Sequence, residues 1–252
     1  MTKFKFQNNS KIQMSNIKTK CFVIWYLSFV IILSFVFCHS SFVYAAPCYG
    51  TNMPNSGKWN VGAQTHIITN RELKNSYGKV SSRQYFYMMS YGVFRWLSLD
   101  GKIGVGDVTH KAPDTAKTTY PTGFAGGYGF RAKIYENDAQ KIGAVMGFQH
   151  ISVHPDGKSV NNVTNLVILD DWQGSALVSK DFGFFTPYIG ARLTRLDLIH
   201  KIKDNSRKRK SSEVNIGAVV GADLKINEAF FINTEGRFIE ETSFNIGFTY
   251  NF

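Results

Sequence analysis

The stretch "GFQHISVH" places His150 and Ser152 two residues apart. In an extended chain such residues share a face, so an imidazole at one position can take the proton of a hydroxyl at the other. A base used this way needs a third group to fix its orientation, and Asn161, Asn162 or Asn165 could supply one. The plain alternative is two polar residues where a strand leaves apolar surroundings, with His154 beside them. A second set consists of full charges in the middle of alternating segments: Asp100, Lys102, Arg131, Lys133, Arg192, Asp223, Lys225, Glu235 and Arg237. Such charges either line a narrow pore and set its ion preference or neutralise one another in a closed interior. A third is Arg207, Lys208, Arg209 and Lys210 within "HKIKDNSRKRKSSE". Consecutive cations attract an anionic surface through forces that salt screens, or else form a solvated loop tip.

Other chemistries find no support. "GFAGGYGF" is rich in glycine, but no helix follows to cradle a phosphate. There is no C-x-x-C, H-E-x-x-H or Walker sequence, and His66, His110 and His200 are dispersed. No metal or cofactor is expected.

The elements that position these residues begin after a leader. Lys3, Lys5, Lys11, Lys18 and Lys20 precede the uncharged run "CFVIWYLSFVIILSFVF", and "CHSSFVYAAP" follows. A basic start, an apolar core and a small-residue site predict a signal peptide over residues 1–45, cleaved after Ala45. A retained anchor is the rival, because the run is just long enough to span a bilayer. Cleavage takes five lysines and no acid, so the formal charge falls from +11 to +6. Cys48 is then the lone cysteine, which makes no internal disulfide. Pro47 before it argues against lipidation, and residues 46–57 form a short segment before the main domain.

From residue 58 to 252 period 2 dominates. Trp59, Val61, Ala63, Thr65 and Ile67 oppose Asn60, Gly62, Gln64 and His66; the ending "SFNIGFTYNF" alternates in the same way. Strands are predicted near 58–69, 84–94, 97–108, 123–135, 141–153, 166–179, 184–199, 213–225, 229–239 and 243–252. Many exceed the five or six residues of soluble sheets and match tilted membrane strands. Aromatics such as Trp59, Trp96, Tyr188, Tyr250 and Phe252 gather at strand ends, as interfacial girdles do. Polar connections over 70–84, 109–122, 154–165 and 201–212 alternate with tight joints. The fold class is therefore an all-β, membrane-spanning, antiparallel up-and-down barrel of ten strands, with eight as the alternative. Asp170–Asp171 interrupts the alternation and predicts a bulge.

"TPYIGARL", "VGADLKINEAFFINTEGRF" and "FNIGFTYNF" resemble the small outer-membrane β-barrels of Gram-negative bacteria, the OmpA/OmpX-like group. The resemblance implies residence in the outer membrane after passage through the inner one, with residues 46–57 periplasmic. It also implies contact with outer-membrane lipid and lipopolysaccharide, and Phe248, Tyr250 and Phe252 as the signal read by the barrel-assembly machinery and periplasmic chaperones. No nucleic-acid partner is expected, and the external ligand is unspecified. The expected role is non-enzymatic, structural or surface-binding through four long loops; a small pore is the alternative. His150 and Ser152 also resemble the His-x-Ser pair of outer-membrane phospholipases and lipid A deacylases, which makes a lipid-ester hydrolase the second alternative. Val153 stands where those enzymes have asparagine.

Overall fold

The structure is a computed structural model that describes residues 50–252 apart from 114, 161, 162 and 203–205. The leader and Cys48 lie outside the described residues. The described chain is all strand and turn: β1 (Trp59–Leu73), β2 (Gly78–Phe94), β3 (Leu97–Lys111), β4 (Thr118–Asn137), β5 (Ile142–His154), β6 (Lys158–Val160), β7 (Val163–Lys180), β8 (Phe185–Ile202), β9 (Ser206–Ser211), β10 (Ile216–Lys225), β11 (Phe230–Phe238) and β12 (Thr242–Asn251). Ten of them form a closed antiparallel ring, because β1 pairs with both β2 and β12 while β7 pairs with β8. The short β6 and β9 extend the hairpins of β7 and β8 beyond that ring.

Each wall strand falls where the alternation predicts it, but the polar connections are shorter than expected. β1 and β2 run on to a turn in which Asn75 and Ser76 have φ of 59° and 53°, the paired positive φ values of a tight hairpin turn. Residues 154–165 and 201–212 contribute β6 and β9. Alternation was invisible there because both faces of these extensions are polar. The predicted bulge at Asp170–Asp171 is not formed either. The β5–β7 and β7–β8 registers run unbroken through both residues, with Asp170 facing out and Asp171 facing in.

The ring changes size along its axis. Both Trp59 and Phe252 stand at one end, called here the near end, joined by Phe252 N–H to Trp59 O. At the far end β10, β11 and β12 stop early, and the β11–β12 turn closes at Ile239–Glu241. Above that turn β9 reaches β1. Leu73 bridges Ser212, Lys74 N–H donates to Ser211 O and Glu213 N–H donates to Glu72 O. Ten strands thus enclose the near half, and β9 replaces three of them in the far half. An eight-stranded interior is just wide enough for side chains to fill. That far half holds the apolar core: Ile68, Leu73, Val80, Val108, Ile151, Val153, Leu169, Leu196 and Leu198.

The outer wall is apolar. Tyr87, Leu99, Ile103, Phe124, Tyr128, Ile189, Ile216, Val220, Phe244 and Phe248 are all exposed. In water such a continuous surface would be untenable for a monomer; a lipid-facing band is its natural setting.

Candidate functional site: the filled lumen and the outer rim

Alternation sends Asp100, Lys102, Arg131, Arg192, Asp223, Glu235 and Arg237 inward, and all seven are buried. Lys133 and Lys225 do not join them. They sit at the near-end rim and pair locally with Glu136 at 2.6 Å and Glu228 at 2.8 Å, where water competes for them.

At the near end the Arg131 guanidinium meets Asp100 in a fork, Nε–Oδ2 3.0 Å and Nη2–Oδ1 2.9 Å. Its Nη1 donates to the Asn52 carbonyl at 2.6 Å. Asp223 Oδ2 accepts from Thr51 N–H at 2.8 Å, Thr51 Oγ1 at 2.8 Å and Asn52 N–H at 3.1 Å. Residues 50–52 are therefore strapped across the mouth rather than trailing from it. A recess of about 370 Å³ remains beside the strap, lined by residues including Thr51, Asn52, Arg95 and Lys133.

Deeper in, Asn233 Nδ2 donates to Asp223 Oδ1 and to the Tyr188 hydroxyl, which donates to Glu235 Oε2 at 3.1 Å. Arg237 Nε donates to Glu235 Oε1 at 2.7 Å. Lys102 Nζ donates to Gln64 Oε1 at 2.8 Å.

Where the ring narrows, the β11–β12 turn drives two carboxylates inward. Glu241 accepts from Arg192 Nη1 and Arg71 Nη1, each at 2.8 Å, and Arg192 Nε lies 2.9 Å from Glu240 Oε1. Arg71 Nη2 continues to Thr194 Oγ1 at 3.0 Å, and that hydroxyl donates to Asp171 Oδ1 at 3.0 Å. Gln173 also donates to Asp171. Among the described residues of the lumen five buried cations (Arg71, Lys102, Arg131, Arg192, Arg237) face six buried acids (Asp100, Asp171, Asp223, Glu235, Glu240, Glu241), while the buried Asp107 and Asp197 pair with exposed arginines of the outer face. Near-balance is what buried charge requires, since an unpaired ion would cost several kcal/mol.

Arg71, Asp171, Glu240 and Glu241 are the members that sequence pattern missed. Arg71 is hidden by the register shift between Ile68 and Arg71, which changes the parity of β1. Asp171 shares parity with Gln173 and was obscured by its outward neighbour Asp170. Glu240 and Glu241 sit in a turn, where alternation has no authority.

On the outer wall the His150–Ser152 pair is not formed. Register sets Trp172 across from His150 and Asp170 across from Ser152. His150 stacks near Trp172, ring centroids 4.1 Å apart, and turns its Nε2 to Asp170 Oδ1 at 2.6 Å. Ser152 Oγ instead lies 2.9 Å from His154 Nε2. Of the asparagines proposed to orient the base, Asn161 and Asn162 lie outside the described residues, while Asn165 pairs in register with Lys158 of β6. Ser152 and His154 can exchange a proton, but among the described residues no acid pairs with His154 to hold it as a base.

The four consecutive cations divide. Lys208 and Lys210 oppose the inward His200 and Leu198, and Lys210 Nζ lies 5.0 Å from the Tyr77 ring centre. Arg207 and Arg209 oppose the exposed Lys201 and the buried Ile199. Phe248 and Phe252 are exposed on β12's outer side, with Tyr250 between them 4.9 Å from the Phe252 ring.

No protein-family model matches the chain, and no curated protein does either. The solved structures it resembles are outer-membrane β-barrels. An outer membrane channel from Pseudomonas putida F1 is 11% identical, covering 82% of this chain and 100% of that one, with a TM-score of 0.45. The translocator domain of autotransporter NalP from Neisseria meningitidis is 11% identical over 81% of this chain and 90% of its own, TM-score 0.41. The outer membrane protease OmpT from Escherichia coli is 10% identical over 81% and 99%, TM-score 0.38. Their activities differ widely, so what this chain does must be sought in its own residues.

Proposed function

We propose that this protein is a plugged barrel of the bacterial outer membrane, close in kind to the small OmpA/OmpX-like barrels, with a structural or surface-binding role at its far end. The observation that carries the proposal is the filling of the lumen in three successive layers. The strap at Thr51–Asn52 closes the near mouth, the ion-pair network occupies the middle, and the apolar core occupies the narrowed far half. A pore would need to breach all three.

The near end, with Trp59 and Phe252, faces the periplasm in this scheme, and Phe248, Tyr250 and Phe252 are presented outward to the barrel-assembly machinery. The β6–β7 and β8–β9 hairpins face the exterior and supply the binding surface. Export through the inner membrane follows from the leader's composition.

The test is a planar-bilayer recording of the refolded full chain, alongside an electrophoretic comparison of boiled and unboiled protein. A mobility shift with no unitary conductance steps is expected. Reproducible steps that scale with protein inserted would replace the plug with a channel, and a protein recovered as a soluble species would end the membrane assignment.

A further inference from the structure

The division of the basic run has a consequence for the outer rim. Strand alternation puts the exposed Lys208 and the half-buried Lys210 on the face of His200 and Leu198, and puts Arg207 and Arg209 on the opposite face with Lys201 and, through Asp197, Arg195. Asp197 organises this patch. Its Oδ1 accepts from Ser211 Oγ, and its Oδ2 lies 3.3 Å from Arg195 Nε and 3.6 Å from Arg209 Nε. The Asp197 side chain is 2% exposed, whereas those of Arg195 and Arg209 are 47% and 50% exposed. One buried carboxylate thus holds two guanidiniums by their Nε edges while about half of each arginine side chain is exposed, and the charge of Asp170 also acts on Arg209. Among the described residues neither Lys201 nor Arg207 has an ion pair.

The position of the patch matters as much as its charge. Below Arg195 the outward residues of β8 are Leu193, Ala191 and Ile189, continuous with the apolar belt. From Phe185 to Leu193 the strand climbs roughly 20 Å, taking about 3.3 Å per residue and a tilt near 40°. An outer-membrane barrel's apolar band is about 25 Å tall, so Arg195 stands at its upper edge, where headgroups lie. Trp172, directly across from Arg195 in register, marks the same boundary. Guanidiniums match phosphate oxygens with two parallel donors, and they do so where water is partly excluded.

We infer that the outer face of the β8–β9 hairpin binds a lipid with a phosphate-bearing headgroup, its acyl chains on the belt beside Leu193 and Ile189 and its phosphate at Arg195 and Arg209. Lys201 and Arg207 stand higher and take further anionic groups of the same headgroup. The inference rests on the membrane-barrel function proposed above. A soluble anion would gain nothing from the belt that runs straight into the patch, which is why the occupant is a lipid.

The experiment is native mass spectrometry of the full chain released from detergent with added bis-phosphorylated lipid A. The doubly substituted Arg195→Gln/Arg209→Gln protein should retain the lipid at least about fivefold less than wild type, while the Lys208→Gln/Lys210→Gln protein, altered on the opposite face, retains it fully. Equal retention by wild type and the arginine variant would overturn the inference. So would an equal loss from both variants, or retention of inositol hexaphosphate as tight as that of lipid A. Boiled and unboiled mobility is recorded for every protein. A wild type without a mobility shift removes the barrel itself, whereas shifted barrels with arginine-independent retention remove the lipid site alone.

Discussion

Arg71 Nη1 and Glu241 Oε2 lie 2.8 Å apart although 170 residues separate them, and neither side chain has any exposure. The contact ties the far end of the first strand to the last turn of the chain. Arg192 and Arg237 share the same carboxylate, at 2.8 and 3.4 Å. Glu241→Gln leaves three guanidiniums in a dry interior without their common anion. The expected cost is about 3–5 kcal/mol, the range for removing one partner of a buried pair. It should appear as a lower urea midpoint for loss of the boiled/unboiled mobility difference. An unchanged midpoint would mean that the network is dispensable.

Acid should reach the same point. The β11–β12 turn lies outside the strands. Burial there pushes the Glu241 carboxyl up, but the Arg192, Arg71 and Arg237 guanidiniums outweigh it and hold the group well below its ordinary value of 4.5. A carboxyl with a depressed folded-state pKa contributes stability above its unfolded value and loses it as pH falls through the folded one. Glu240 opposes this, since burial raises it despite Arg192. Its ionised form therefore costs stability near neutrality. The Glu241 contribution should persist from neutral pH to about 4.5 and decline below that. Midpoints measured below about pH 4.5 should fall less steeply for Glu241→Gln than for wild type.

Gly217 is where the wall yields to the network. It faces inward on β10, and a Cβ built there would overlap the Glu240 carboxylate. Gly217→Ala must therefore displace a side chain that is otherwise completely buried against Arg192. Crowding of this kind typically costs about 1–3 kcal/mol. A midpoint loss in Gly217→Ala that nearly vanishes in the Glu240→Gln background would locate the clash; full additivity would refute it.

Most of the wall was legible in the sequence because period 2 is a direct record of facing. Trp59 through Ile67 and Phe244 through Phe252 each read correctly from alternation alone. The lumen was legible only where parity is unbroken. Asp100, Lys102 and Arg131 were found, whereas Arg71 follows a register shift and Glu240 and Glu241 follow none of the strand rules. The tall hairpins were misread as loops because both faces of β9 carry cations, and a two-sided polar strand has no periodic signature. Ten strands, the expected number, make the closed wall, and β9 stands in for three of them in the far half.

Asp223 should govern the strap. Its Oδ2 is the single acceptor for both backbone amides and the hydroxyl of Thr51–Asn52. In Asp223→Ala these donors lose their anchor, while among the described residues Arg131 still holds the Asn52 carbonyl. Limited proteolysis should then cut within residues 50–58 at least about tenfold faster than in wild type, because cleavage there follows local opening. The barrel's mobility shift should survive. Equal cutting rates would show that the mouth is closed by something other than this carboxylate.

Ser152 offers a nucleophile's hydroxyl and His154 a base 2.9 Å away, yet the described residues around them do not supply the remaining parts of an esterase. Both stand on the outer face of a sheet whose backbone amides serve the β4–β5 and β5–β7 ladders. Among the described residues those ladder amides are therefore not available to developing negative charge on a lipid ester, and such donors are worth about 10²–10³ in rate. The carboxylate of Asp170, across from Ser152, is held by His150 and also accepts from Trp172 Nε1 at 3.3 Å. Phospholipid incubated with the refolded barrel should be turned over at the same background rate by wild type and by Ser152→Ala. Release of fatty acid by wild type that Ser152→Ala and His154→Gln both abolish would instead make this rim a hydrolase site.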